Sequence, residues 1–159
     1  MSSRAKWILC TTLIFLDANA PMYSAGRPHP LKAPSIQVLR LVQDHRSSFV
    51  TSAEIFQELV HRYLAIREWA IGRALFDGMA ALMQGRIQPI YFRDVQEAAN
   101  LADTYPTANA RDLLHVAVMN RLEITRIVST DKDFDGIPGI ERLDPMLVDE
   151  WAHVVTESR

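Results

Sequence analysis

Four carboxylate residues stand at separate points of the 159-residue chain where they could build a metal site: Asp17, Glu58, Asp112 and Asp131. Asp17 directly follows the apolar run 13–16, and Asp131 directly follows the run 126–130. In an open parallel sheet, ligands bind just outside the carboxyl ends of the strands. We therefore expect these two aspartates to approach each other. Carboxylates that meet without partners raise one another's pKa, and a divalent cation such as Mg²⁺ or Mn²⁺ removes the repulsion.

Glu58 and Asp112 are both predicted to lie on helices. Thr51 and Glu54 fit the T-x-x-E pattern of a capping box, which explains Glu54 and predicts a helix that begins at Thr51. No cap explains Glu58, one turn further along, where a carboxylate among apolar residues is unfavourable unless it is paired or metal-bound. Asn109 is the predicted N-cap of the helix that carries Asp112. The helix dipole alone could stabilise Asp112, so the argument for function depends on the whole set.

The densest acidic segment is STDKDFDGIPGIER, at 129–142. Asp131, Asp133 and Asp135 match the opening of a calcium-binding EF-hand loop, but the twelfth position is Arg142 instead of glutamate. The residues before Asp131 also have a strand pattern. We therefore favour Asp131 as a site ligand and Asp135 as a turn residue, with two roles open for Asp133: it points toward the site or caps the turn.

Three kinds of chemistry are compatible with the acids. Two divalent ions held by carboxylates can promote an in-line displacement at phosphorus, which needs no histidine. An aspartyl-phosphate phosphatase also begins with an aspartate after a buried strand, but it generally needs a second aspartate two residues later, where this chain has Asn19. A non-catalytic module could use the acids to dock a basic peptide or RNA. The sequence contains no GxxxxGK, GxGxxG or GxSxG motif.

The elements that must position these residues alternate between strands and helices. Predicted strands cover 13–16, 48–51, 87–92, 126–130 and 140–143, and predicted helices cover 35–46, 51–66, 67–84, 93–104 and 110–122. Pro89 makes 87–92 an edge strand, the proline- and glycine-rich stretch 21–34 is predicted to be a loop, and a short terminal helix or tail is expected around Trp151. The alternation predicts an α/β fold with a mostly parallel sheet.

Composition favours a single globular domain, since 48% of residues are hydrophobic and 23% are charged. We expect an N-terminal extension at 1–12, a catalytic domain at 13–150 and a C-terminal tail at 151–159. The net charge of -2 gives no overall attraction to nucleic acid, so a polyanion would need a local basic strip or metal ions. The single cysteine, Cys10, cannot form an internal disulfide and is interpreted as an apolar filler.

The N-terminus has some features of a secretory signal. Arg4 and Lys6 precede the apolar run 7–16, and residues 18–20 resemble a cleavage site. Cleavage there would remove the first strand and Asp17, so we expect a cytoplasmic protein. No stretch of the sequence is long enough to span a bilayer.

Four segments resemble, in the same order, the PIN-domain ribonucleases of the VapC toxin type: LIFLDANAPMYSAG, TSAEIFQELVHRYL, ARDLLHVAVMNRL and IVSTDKDFDGIPGIERLDP. The resemblance implies a three-layer α/β/α sandwich. It also implies a Mg²⁺- or Mn²⁺-dependent endoribonuclease, a cognate antitoxin encoded in the same operon, and a homodimer.

The resemblance further implies roles for individual residues. The acids of the family fall on Asp17, Glu58, Asp112 and Asp131, with a further acid on Asp133, and its supporting polar residues fall on Asn19 and Thr130. The three aspartates Asp17, Asp112 and Asp131 would bind the ion directly. Glu58 would bind a second ion or orient the attacking water.

Several basic and aromatic residues flank the acids in the sequence. Candidates for contacts to RNA phosphates are Arg27, Arg62, Arg111 and Lys132, with ordinary surface solvation as the alternative. Tyr23 could stack on a base, although packing of this residue on the domain is favoured. His115 and His61 lie one turn after Asp112 and Glu58 and could contact the site, but a packed or hydrogen-bonded histidine is the favoured interpretation of each.

Overall fold

The structure is a computed structural model that describes residues 13–157, so the predictions for the extension 1–12 and for Cys10 lie outside the described residues. A five-stranded sheet with the order β3-β2-β1-β4-β5 forms its centre, and all four strand pairings are parallel. The strands are β1 Ile14–Leu16, β2 Phe49–Ser52, β3 Ile87–Gln88, β4 Arg126–Val128 and β5 Glu141–Leu143. The predicted α/β class is confirmed.

Helices connect the strands and flank the sheet. They are α1 Asn19–Ala25, α2 Lys32–Asp44, α3 Ala53–Ala65, α4 Trp69–Leu82, α5 Phe92–Thr104, α6 Ala110–Arg121, α7 Val148–Trp151 and α8 His153–Thr156. Single 3₁₀ turns cover Arg46–Ser48, Lys132–Gly136 and Pro145–Leu147. The helices pack as the neighbouring pairs α1–α2, α3–α4 and α5–α6. Within residues 13–157, no helix combines the length and apolar character needed to cross a membrane.

Strand β1 is the centre of the sheet and of the core. Ile14, Phe15 and Leu16 are fully buried, as expected for a parallel strand covered on both faces. Phe15 is in register with Val50 of β2 and with Ile127 of β4. Because the three strands run in the same direction, the residues that follow them lie at one edge of the sheet.

The structure differs from the prediction directly after β1. The sequence predicts a loop over 21–34, whereas α1 covers Asn19–Ala25 and α2 begins at Lys32. Pro21 and Pro34 are each the third residue of a helix. The first-turn N–H groups have no intrahelical acceptor, so a proline is tolerated there. The loop prediction was therefore wrong for most of this stretch.

The predicted capping box at Thr51 is also wrong. Thr51 lies inside β2, and its hydroxyl donates to the carbonyl oxygen of Leu16 at 2.8 Å. Helix α3 begins two residues later, at Ala53, and the preceding Ser52 forms no side-chain capping bond with any part of the described chain. A tertiary hydrogen bond to β1 thus takes the hydroxyl that the local pattern assigned to a helix cap.

The predicted strand over 87–92 is at the edge of the sheet, as expected, but it is shorter than predicted because α5 already begins at Phe92. Strand β3 is an edge strand that ends at Gln88, directly before Pro89.

Near the C-terminus, Trp151 and Val155 are buried in the core, and the indole of Trp151 donates to the carbonyl oxygen of Asp144 at 2.8 Å. The predicted tail at 151–159 therefore packs on the domain as far as Val155.

Candidate metal centre

Asp17 follows β1 and is held in one orientation by its neighbours. Its Oδ1 accepts a hydrogen bond from the backbone N–H of Ala18 at 2.7 Å. Its Oδ2 accepts from the hydroxyl of Ser129 at 2.7 Å and from the amide of Asn19 at 3.1 Å. Burial raises the pKa of Asp17, although His115 and the bond from Ser129 oppose the shift. Asp17 is therefore a rigid, buried carboxylate at the carboxyl edge of the sheet.

Asn19 and Ser129 connect this carboxylate to the end of β4. The Asn19 amide donates to the Ser129 hydroxyl at 2.9 Å and accepts from the backbone N–H of Thr130 at 3.1 Å. The Ser129 hydroxyl in turn accepts from the backbone N–H of Asp131 at 3.0 Å. The predicted support from Thr130 thus comes through its backbone, and the hydroxyl that touches Asp17 belongs to Ser129. Residue type alone does not distinguish these two adjacent hydroxyl residues, so the sequence did not reveal Ser129.

A second group of carboxylates lies beside Asp17. Oxygens of Asp112, Asp131 and Asp133 lie within 4.8 Å of one another. Asp112 is in the first turn of α6 and only 8% exposed, and its Oδ2 has no hydrogen-bond partner among the described residues. Burial and the neighbouring carboxyl of Asp131 raise the pKa of Asp112 to about 8, and Asp17 adds to the shift. The two groups of acids therefore act on each other electrostatically.

The acids of the 129–142 segment have separate roles. The side chain of Asp131 caps the following 3₁₀ turn by accepting from the backbone N–H of Asp133 at 2.9 Å. Asp133 joins the carboxylate group, which is one of the two roles left open for it. Asp135 instead accepts two bonds from Arg142, at 2.9 and 3.1 Å. The three aspartates thus do not surround one ion as in an EF-hand.

Glu58 on α3 and His115 on α6 complete the site opposite Asp17. Glu58 lies 3.2 Å from the guanidinium of Arg111 through Oε1 and 4.0 Å from His115 Nε2 through Oε2. His115 Nε2 also lies 3.4 Å from Asp17 Oδ1, and its ring packs on Phe15. Burial lowers the pKa of His115, but Glu58 and Asp17 outweigh this effect, so the net shift is upward. His61, which has the same spacing from Glu58, is exposed.

The residues at this edge fit a divalent cation. Asp17 and Asp112 are buried acids with raised pKa values, and Oδ2 of Asp112 accepts no bond within residues 13–157. Within residues 13–157 no basic side chain supplies a positive charge to Asp112 through an ion pair, whereas Asp17 has the ring of His115 at 3.4 Å. Oxygen-rich sets of this kind bind hard divalent cations, which supply that charge.

The predicted RNA-contacting residues surround the site in different ways. Arg62 and Arg27 line an open cavity of about 970 Å³ that also contacts Asn19 and Thr130 of the acidic edge. Arg27 also lies 3.4 Å from Glu68. Arg111 is engaged by Glu58, and Lys132 is exposed beside Asp131.

Tyr23 and His29 stand on the wall of the same cavity, with their ring centroids 4.7 Å apart. Tyr23 is in contact with another ring of the domain, as its favoured interpretation expected. The cavity therefore combines cationic and aromatic side chains next to the acids.

Comparisons with known proteins agree with this geometry. The PIN domain family matches residues 14–140. Ribonuclease VapC13 of Mycobacterium tuberculosis is 39% identical over 131 residues, which cover 82% of this chain and 99% of that protein. Ribonuclease VapC23 of the same species is 38% identical over 122 residues, covering 75% of this chain and 93% of that protein.

Solved structures of low sequence identity share the fold. The crystal structure of VapBC2 from Rickettsia felis, bound to a DNA fragment from its promoter, matches with a TM-score of 0.63 and 14% identity, covering 83% of this chain and 98% of that chain. FitAcB from Neisseria gonorrhoeae matches with a TM-score of 0.62 and 18% identity, covering 84% and 98%.

Proposed function

Because this chain belongs to the PIN domain family and, within it, to the VapC ribonucleases, we propose that it is a metal-dependent endoribonuclease that hydrolyses RNA phosphodiester bonds as the toxin of a toxin–antitoxin pair. One observation carries the proposal. Acids from four separate segments, among them the buried and unpaired Asp112, meet at the carboxyl edge of the sheet. The relative that is 39% identical over 82% of this chain is named a ribonuclease, which supports the choice of RNA as substrate.

The proposed ligands of a Mg²⁺ or Mn²⁺ ion are Asp17, Asp112 and Asp131, with Asp133 in the same carboxylate group. When bound there, such an ion would supply positive charge to the scissile phosphate and would lower the pKa of an attacking water. Glu58 is one-quarter exposed, so its carboxylate can face solvent, and there it orients the water or binds a second ion.

The remaining polar side chains keep the acids in place. Ser129 and Asn19 fix the carboxylate of Asp17 by the bonds described above, and each of them also contacts the segment that carries Asp131. Arg111 holds Glu58 from the outer side. These contacts keep the ligands oriented without a large rearrangement when a cation and a phosphate enter.

The cavity beside the acids is the proposed path of the RNA strand. Arg62 and Arg27 stand where they can contact phosphates, and the paired rings of Tyr23 and His29 offer a surface on which a base can stack. Lys132 is exposed at the other side of Asp131. Arg111 is already paired with Glu58, so its main role is to position that acid.

The substitution Asp17→Asn tests the proposed activity. It keeps the size of the side chain but removes the charge, so divalent-dependent cleavage of RNA should fall by at least about 100-fold. The matched control is Asp103→Asn, an exposed aspartate on α5, which should cleave like the parent. Sequencing of RNA ends after expression of the parent and of Asp17→Asn then identifies the cleaved RNA. Equal cleavage by the parent and Asp17→Asn would refute the site assignment.

We also propose a cognate antitoxin and a homodimer as the assembly. One structural neighbour of this chain is a toxin–antitoxin complex from Klebsiella pneumoniae. Expression of this chain alone should arrest growth, and co-expression of the neighbouring small reading frame should restore it. Light scattering on the purified protein measures whether it is a dimer, and a monomeric mass would contradict the homodimer.

A further inference from the structure

We propose that His115 is a nitrogen ligand, so that Asp17, Glu58 and His115 form a mixed nitrogen–oxygen site selective for a divalent transition metal ion over Mg²⁺. The inference rests on the proposed metal-dependent activity only in expecting an ion at this edge. It adds a donor to the four acids and concerns which ion is bound.

His115 is buried without a hydrogen-bond partner among the described residues. Its side chain is 1% exposed, and within the described part of the chain neither Nδ1 nor Nε2 forms a hydrogen bond of good geometry, although Nε2 lies at ion-pair distance from two carboxylates. Buried polar atoms are normally satisfied, so an unpaired ring nitrogen at a polar site calls for a ligand. Nε2 faces the acids, at 3.4 Å from Asp17 Oδ1 and 4.0 Å from Glu58 Oε2. Both separations are longer than a good N–H···O bond of about 2.7–3.2 Å.

The three donor atoms are also spaced as the ligands of one ion would be. One atom each of Asp17, Glu58 and His115 lies within 4.8 Å of the others. Donors around one ion bound at ~2.1–2.3 Å stand about 3 Å apart when adjacent and about 4–4.6 Å apart when opposite. The observed spread thus suits three ligands of one ion after small side-chain movements.

The two groups of donors also differ in their chemistry. The group of Asp112, Asp131 and Asp133 offers only oxygen, which suits Mg²⁺ and Mn²⁺ alike. An imidazole is a softer donor that favours transition metals, and affinity rises along the series that begins with Mn²⁺. Helix α6 supplies one donor to each group, since Asp112 and His115 are three residues apart and face the same edge.

The test uses Mn²⁺ as the probe on the untagged full-length protein freed of metal. Pulsed electron paramagnetic resonance detects a nitrogen bound to Mn²⁺ through its hyperfine coupling. We expect this coupling in the parent and in His61→Phe, a control in which an exposed histidine one turn after Glu58 is replaced. It should be absent in His115→Phe, whose ring can still pack on Phe15. The Mn²⁺ affinity of His115→Phe should fall by about tenfold or more, and the Mg²⁺ affinity should fall less.

A second measurement does not depend on the folding of a variant. Labelling the histidines of the parent with ¹⁵N should change the coupling pattern if a histidine binds the ion. Absence of nitrogen coupling with Mn²⁺ bound, or failure of Mn²⁺ to bind, overturns the inference. If RNA is still cleaved without nitrogen coupling, the histidine inference fails and the proposed function stands. If coupling is seen but no RNA is cleaved with any divalent ion, the proposed function fails and the inference stands.

Discussion

Two aspartates in successive helices occupy the same local position and have opposite environments. Asp94 is the third residue of α5 and Asp112 the third residue of α6, and an arginine precedes each of them. Both are buried, with exposed fractions of 2% and 8%. The two helices pack against each other, so the difference between the aspartates arises from what each one faces.

Asp94 is fully partnered. Its carboxylate accepts from the backbone N–H of Tyr91 at 2.8 Å, which closes a capping box at the start of α5. It also accepts from Arg121 at 2.8 and 3.2 Å. Burial opposes ionisation, but the bonds from Arg121 and Tyr91 outweigh it and lower the pKa of Asp94. Asp94 thus stabilises the packing of α5 on the last turn of α6.

Asp112 has no such partner among the described residues, since its Oδ2 forms no hydrogen bond and the N-terminal cap of α6 comes from Asn109 instead. The side chain of Asn109 accepts from the backbone N–H of Arg111 at 2.9 Å. Asp112 turns toward Asp131, and the burial and repulsion there raise its pKa to about 8. Asp94 is thus a buried aspartate with its own cation and a structural role, whereas Asp112 has no such cation and is a proposed ligand of an external one.

The largest expected effect separates the two aspartates by activity. Asp112→Asn should lower divalent-dependent RNA cleavage by at least about 100-fold, because it removes a proposed metal ligand. Asp94→Asn should change cleavage only slightly under conditions where it remains folded. Single-turnover cleavage rates at saturating Mn²⁺ measure both. Equal losses in the two variants would remove the functional distinction between the aspartates.

The next largest effect is on the free energy of unfolding, which Asp94→Asn and Asp112→Asn should change in opposite directions. Asp94→Asn weakens a charged pair and should lower the free energy of unfolding by about 2–3 kcal/mol at neutral pH. A lowered native-state pKa gives stability above the unfolded-state pKa of 3.8, so this loss should shrink as the pH falls below that value. Asp112→Asn relieves repulsion and should raise the stability of the metal-free protein. Urea denaturation measures both variants, and destabilisation by Asp112→Asn would contradict the comparison.

The pH dependence of the metal-free protein sharpens the comparison further. Asp112 has a native-state pKa of about 8 and an unfolded-state value of 3.8, so between these values the native state binds more protons. The stability contributed by Asp112 should therefore decrease as the pH rises through this window and level off above it. The measurement is the difference in unfolding free energy between the parent and Asp112→Asn across the window. A difference independent of pH would show that the pKa of Asp112 is not raised.

The smallest expected effect concerns the N-terminal cap of α6, which the side chain of Asn109 provides. Asn109→Ala should lower the unfolding free energy by about 1 kcal/mol, because the N–H of Arg111 loses its acceptor. Asn109→Asp retains an acceptor and serves as the control. Thermal unfolding of the three proteins measures the difference. Equal melting temperatures for Asn109→Ala and the parent would show that the cap contributes nothing.

Much of the fold was predictable because the signals are local. Short apolar runs predicted β1, β2 and β4, and Asn109 predicted the start of α6. The errors have tertiary causes. Thr51 fits a helix cap in the sequence, but in the structure its hydroxyl donates to β1. The proline-rich stretch after β1 forms helices because its prolines Pro21 and Pro34 lie in first turns, where proline is tolerated.

The site was predictable in part. The structure brings the predicted acids Asp17, Glu58, Asp112 and Asp131 to one edge, in two groups with Asp133 and His115. Their metal-binding roles stay predictions that the experiments above test. The favoured interpretation of His115 as a packed histidine describes its contact with Phe15, but it misses the unpaired nitrogens.

The sequence by itself determined the class of the fold and the acids at the strand ends, because hydrophobic periodicity and the order of elements depend on neighbouring residues. Only the tertiary structure decided which acids are paired. Asp94 and Arg121 are 27 residues apart, and Asp17 and Ser129 are 112 residues apart. Two aspartates in the same Arg-Asp context differ only in such distant contacts. Those contacts leave Asp94 paired with Arg121, whereas Oδ2 of Asp112 has no hydrogen-bond partner among the described residues.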